Sequence, residues 1–77
     1  MAQAETGGRY RHYKTGNEYV VIALGKHSET LEPLVVYEAQ YANPESKVWV
    51  RPQALFEETV EWPKGSGVMV ERFTRII

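Results

Sequence analysis

The sequence predicts an all-β fold, a small barrel or rolled sheet of five or six short strands with one helical turn near residues 52–57. Three observations point there. Turn-forming clusters recur every eight to twelve residues, as in Lys14-Thr15-Gly16-Asn17, Ala42-Asn43-Pro44-Glu45-Ser46 and Pro63-Lys64-Gly65-Ser66-Gly67. The runs between them are rich in Val, Ile, Tyr and Trp and alternate with a two-residue period. One stretch, Pro52 to Glu58, breaks that period and reads as a single helical turn.

Each element has its own reason. Residues 1–8 are small and polar and end in Gly7-Gly8, which suggests a disordered lead-in before a single domain over 9–77. Arg9-Tyr10-Arg11-His12-Tyr13 alternates as a first strand. Lys14 to Asn17 is a turn, with Gly16 or Asn17 able to take positive φ. Glu18 to Gly25 is a second strand: Val20, Ile22 and Leu24 share one face, Tyr19, Val21 and Ala23 the other. Both faces are apolar, so this strand belongs in the middle of the sheet. After a polar connection over 26–33, Leu34 to Tyr41 is the third strand, with Val35, Tyr37, Ala39 and Tyr41 on one face. Lys47 to Arg51 is a short fourth strand that places Trp49 and Arg51 together. Pro52 suits the first helical position, where its missing donor costs nothing. Thr59 to Trp62 is a fifth strand, and Val68 to Ile77 one more strand or an extended tail. Phe56, Leu55, Val60 and Trp62 are the expected core of this second half. A helical turn before the last strand is common in SH3-like barrels, an analogy of architecture.

Seventy-seven residues make one domain with a modest core. No cysteine is present, which excludes disulfides and thiolate zinc sites and fits a reducing compartment. The first residues lack the basic start and apolar middle of a signal peptide, and no run approaches a membrane span. The expectation is a cytoplasmic protein with no membrane partner. A net charge of −1 gives no global attraction to nucleic acid, although Arg9, Arg11, Lys14 and Lys26 outweigh Glu18 in the first third. All ten acids are Glu, which removes the commonest short-armed ligand of hard cations. No metal-ligand spacing or cofactor motif stands out, so the expected cofactors and metals are none.

Several blocks resemble a bacterial family of unknown function, DUF1653. Gly8 to Lys14 followed by Tyr19-Val20-Val21 resembles its opening. His27-Ser28-Glu29-Thr30-Leu31-Glu32-Pro33-Leu34-Val35-Val36-Tyr37 is similar to its central signature. Trp49-Val50-Arg51-Pro52 with Phe56 matches a third block, and Glu71-Arg72-Phe73 its end. The 42–46 loop and the Gly-rich 63–70 region depart from the pattern. The resemblance implies an SH3-type barrel and a small bacterial domain of the kind met in structural genomics, with no activity attached.

The His27–Pro33 block concentrates imidazole, hydroxyl and carboxylate groups. His27-Ser28-Glu29 cannot be a triad by itself, because neighbours on an extended chain point to opposite faces. A turn whose side chains bond the backbone is the favoured reading. His12 and His27 with Glu29 or Glu32 would ligate a metal only by meeting across strands. Arg9, Arg11, Lys14 and Lys26 among tyrosines form a strip of the kind that tracks single-stranded nucleic acid, though a solvated strand face explains it more simply. Arg51 beside Trp49 either reads an anion or, more simply, pairs with Glu29 or Glu32 and clamps the turn.

The function these readings support is a non-enzymatic binding or accessory module, with candidate ligand-binding residues Arg11, Tyr13, His27, Glu29, Glu32, Trp49 and Arg51 and no catalytic residue. Short nucleic acid, a nucleotide or a peptide are the ligand classes such a surface admits. Two alternatives stand: a small hydrolase or metal-assisted enzyme using His27 with Glu29 or Glu32, and a purely structural module that forms a homodimer through a barrel edge.

Overall fold

Strands dominate the computed structural model, which describes residues 3–77. In chain order they are β1 (Arg9–His12), β2 (Glu18–Lys26), β3 (Pro33–Ala39), β4 (Val48–Pro52), the helical turn α1 (Gln53–Phe56), β5 (Thr59–Glu61), β6 (Met69–Glu71) and β7 (Phe73–Arg75). Two antiparallel sheets result, one ordered β4-β3-β2-β1-β7 and the other β5-β6. The fold is all-β with one helical turn, and it is compatible with an SH3-like barrel.

The strand count is seven among the described residues, above the five or six expected, because the last segment divides. Glu71 pairs with Thr59 in the small sheet, while Phe73 pairs with His12 in the large one. The switch falls at Arg72, whose N–H bonds Glu58 O (3.1 Å) and whose carbonyl accepts from Tyr13 N (3.0 Å). Periodicity could not show this, since each half has only three residues.

β2 takes the expected central place, paired on both edges, but its two apolar faces are not both covered. Val21 alone is buried, and Ile22 (42%) and Leu24 (45%) are exposed. A bulge between Val21 and Ala23 changes its register, so that Leu24 stands opposite Val35 rather than following the simple alternation. The inner face is closed by Tyr10, Val21, Val35, Tyr37, Phe56 and Phe73, all buried. Phe56 and Phe73 stack at 4.2 Å between centroids, and Tyr10 meets Phe56 edge-on at 5.2 Å. Of the four apolar residues expected to fill the second half, Phe56 alone is buried; Val60 is half-buried, and Leu55 (44% exposed) and Trp62 (38%) face outward. A four-residue helix has room to bury one side chain.

Met1 and Ala2 of the expected lead-in lie outside the described residues. From Gln3 onward the segment is engaged with the domain rather than free of it. Ala4 is buried, and its N–H bonds Glu57 Oε2 (2.9 Å). The Tyr10 hydroxyl accepts from Glu5 N (3.0 Å) and donates to Gln3 O (2.5 Å). Gly7 and Gly8 exchange backbone bonds with Val21. A Cβ at Gly8 would meet the Tyr10 ring at 2.8 Å, so glycine is what lets the segment lie down.

β4 forms an edge of the large sheet. The bond from Ala39 N to Lys47 O sets the alternation, which turns the Val48 and Val50 main-chain groups away from β3. That edge is blunted at both ends. Ser46 Oγ donates to Val48 O (2.7 Å), and Pro52 has no N–H to offer.

Candidate functional site

The inner face of β4 carries Trp49 and Arg51, one pleat apart, and Tyr37 on β3 stands opposite Trp49. Together with Tyr19 from the start of β2, His12 from the end of β1 and Phe73 from β7, they surround a pocket of about 250 Å³. Phe73 is its deepest element, at 1% exposure. Tyr19, Tyr37 and Phe73 meet edge-to-face at 5.3–5.8 Å, and His12 packs edge-on to Phe73 at 5.1 Å. These contacts fix the walls.

The polar rim is tied down as well. Asn43 Oδ1 accepts from Glu45 N (3.0 Å), which leaves Nδ2 to donate to the Tyr41 hydroxyl (2.8 Å). Tyr41 and Tyr19 share a 2.7 Å hydroxyl–hydroxyl bond. Burial, reinforced by Tyr41, pushes the Tyr19 phenol up, so it stays protonated. Trp49 Nε1 donates to Ser46 O (3.0 Å), which spends the indole N–H and leaves the ring for contact. Thr15, Asn17 and Glu45 complete the lining.

Two basic groups face this cavity. Burial, followed by the charges of Arg51, Arg72 and Lys14, pushes the His12 imidazole down, so it is neutral near pH 7. Its Nδ1 accepts from Lys14 N (3.3 Å), which assigns the proton to Nε2. Arg51 lies with Cζ 5.6 Å from the Phe73 centroid, and its Nε makes a long bond to the Tyr37 hydroxyl (3.4 Å). The other four arginines each have a carboxylate: Arg9 and Arg11 share Glu18, Arg72 has Glu58 and Arg75 has Glu5. Among the described residues Arg51 alone has none.

The sequence-predicted residues divide. Trp49 and Arg51 line the pocket. Tyr13 stands beside it, packed against His12 (4.8 Å) and Trp62 (5.4 Å). Arg11 is exposed and bonded to Glu18, whose carboxyl Arg9 and Arg11 hold below its usual range. His27, Glu29 and Glu32 lie beyond Lys26, at the other end of β2, roughly 20–25 Å from the pocket by strand rise. There they belong to an exposed turn. His27 Nδ1 accepts from Glu29 N (3.1 Å) and Thr30 N (3.3 Å), and Thr30 Oγ1 accepts from Glu32 N (3.2 Å). His27 N and O bond Glu32 O and Leu31 N, with Leu31 at φ 65°. The expected clamp of Arg51 on Glu29 or Glu32 is absent, because the Arg51 side chain leans inward to Tyr37 and Phe73. His12 and His27 sit at opposite ends of the sheet, and no group of three metal-ligating side chains forms among the described residues.

His12, Tyr19, Tyr41, Asn43 and Phe73 were not singled out from sequence as site residues. Strand alternation puts Tyr41 on the Tyr37 face, a usable signal. The sequence offers His12 only as a metal ligand, and nothing local in it brings Phe73 to β1.

The match of the DUF1653 family model, a protein family of unknown function, runs over residues 8–75 and takes in every strand. The chain belongs to the DUF1653 family. A crystal structure of a DUF1653 protein from Bordetella bronchiseptica is similar to it, with a TM-score of 0.78 and 32% identity over 94% of this chain and 87% of that one. No curated protein matches it. The DUF1653 match spans the pocket residues and the His27 turn alike, so membership does not choose between them. Among the described residues no helix is long and apolar enough to cross a membrane.

Proposed function

We propose that this DUF1653 domain is a non-enzymatic binding module whose site is the pocket between His12, Trp49 and Arg51, and that it takes a carboxylate or phosphate carried on a planar or apolar body. The observation that carries this reading is Arg51: a half-buried guanidinium against an aromatic ring, with no carboxylate partner among the described residues. A cation held off water without a counter-ion is costly, and an incoming anion relieves that cost. Arg51 supplies the charge and a planar fork of donors, and neutral His12 adds a donor at Nε2. Trp49 and Tyr19 supply faces and edges for the body of the ligand.

The enzymatic alternative through His27 has no comparable support. Its Nδ1 is occupied by the turn's own N–H groups, and Glu29 and Glu32 stand in solvent. The test is a titration of ¹⁵N-labelled protein with benzoate, N-acetyl-tyrosine and nucleoside monophosphates, read at the two indole N–H signals. At least one of these anions should move the Trp49 signal saturably and leave Trp62 still, and the shift should vanish in Arg51→Gln. A Trp49 signal unmoved by every anion would sink the reading.

A further inference from the structure

The pocket does not end at its rim. Tyr41 and Asn43 also line a second, shallower hollow of about 470 Å³, whose other side is Glu38, Gln40 and Lys47. The two hollows adjoin at Tyr41 and Asn43, by the end of β3 and the 40–47 loop. Each hollow carries both signs of charge. The first hollow holds Arg51 and Glu45, the second Lys47 and Glu38. Arg51, Glu45 and Lys47 make no ion pair among the described residues.

We infer that the ligand is the carboxyl-terminal end of a peptide. Its terminal carboxylate sits on Arg51, its last side chain lies among Trp49, Tyr19 and Phe73, and its preceding residues cross Tyr41–Asn43 into the second hollow. This rests on the anion-pocket reading above and adds the ligand's class and direction. The charge pattern separates a peptide from a nucleic-acid strand. A polyphosphate chain presents one charge per residue and gains little from hollows that each hold a carboxylate as well as a cation. A peptide carries a single terminal charge, then amide donors and acceptors that both Glu and Lys side chains can meet. The Asn43 carboxamide and the Tyr41 hydroxyl at the shared wall are held in place by Glu45 N and the Tyr19 hydroxyl, so little ordering is needed on binding.

The full labelled chain is titrated with pentapeptides whose terminal residue is varied over the twenty amino acids. The same set as terminal amides, the matching N-acetyl amino acids and a five-nucleotide oligothymidylate serve as comparisons. Free-acid pentapeptides should move the Trp49 indole signal and bind about tenfold or more tightly than their amides, the scale of one charge-assisted contact. They should also outbind the N-acetyl amino acids, and Lys47→Ala with Glu38→Gln should erase that second margin while leaving the N-acetyl amino acids unaffected. Amides binding equally well, or N-acetyl amino acids matching pentapeptides, would overturn the peptide inference and leave the anion pocket standing. So would oligothymidylate binding in place of the peptides. Silence from every anion would overturn both.

Discussion

The His27–Glu32 turn and the Arg51 pocket are built from the same chemistry: an imidazole, carboxylates, hydroxyls. They sit at opposite ends of β2. In the turn, His27 Nδ1 and Thr30 Oγ1 satisfy the turn's own N–H groups and the carboxylates face water. In the pocket, aromatic rings shield the polar groups, and one guanidinium is left without a carboxylate. Polar density along the chain therefore marks a self-satisfied turn, while polar groups gathered from several separate segments leave Arg51 without an ion pair among the described residues. The distinction lies in what is already bonded, not in which residue types are present.

The comparison can be broken most forcefully at Phe73. Phe73→Ala should cost about 3–5 kcal/mol, as for other buried aromatics, and abolish ligand shifts, measured by urea unfolding and by the Trp49 signal. Arg51→Gln should not lower the urea midpoint, since it removes an unpaired charge, yet should weaken anion binding by about tenfold or more by calorimetry. Glu29→Gln and Glu32→Gln should change neither stability nor binding; if they alter binding, the two regions are coupled. His27→Ala should remove about 0.5–1 kcal/mol of stability with binding intact, since the N–H groups it releases are exposed to water.

A pH series sharpens the contrast at the imidazoles. His12 titrates below its ordinary value of 6.5 in the folded chain, so the unfolded chain takes up a proton first. The His12 contribution is whole above about 6.5 and is lost as pH falls towards its folded value. Unfolding curves between pH 5 and 8 should show this slope in wild type and a shallower one in His12→Gln. An anion on Arg51 should offset that cation and raise the His12 pKa, so binding should strengthen as pH falls.

Much of the fold was legible because it is local. The two-residue alternation placed Val35, Tyr37 and Ala39 on the buried face, and β2 is central as expected. Ile22 and Leu24 are nonetheless exposed, and pairing on both edges, not burial of both faces, gives β2 that place. The sequence puts Pro52 at the first helical position, but it ends β4 as the N-cap and the helical turn begins at Gln53. The bulge after Val21 was not legible, because one inserted residue leaves composition unchanged while reversing faces. The site was half legible. Trp49 and Arg51 are two apart on a strand, so their shared face could be read directly. Their neighbours could not, because His12 and Phe73 meet only through pairing of β1 with β7, sixty residues along the chain.

That last pairing has a consequence for how the domain comes into being. Residues Tyr10 to His12 find their partners in Phe73 to Arg75, near the far end of the chain. A closure this long carries a loop-entropy penalty and slows folding relative to hairpin formation. During synthesis the ladders β1–β2 and β2–β3 can assemble early, but the pocket has no floor until Phe73 leaves the ribosome. Binding at the proposed site would therefore require the finished domain, and a growing chain could not display a partial version of it.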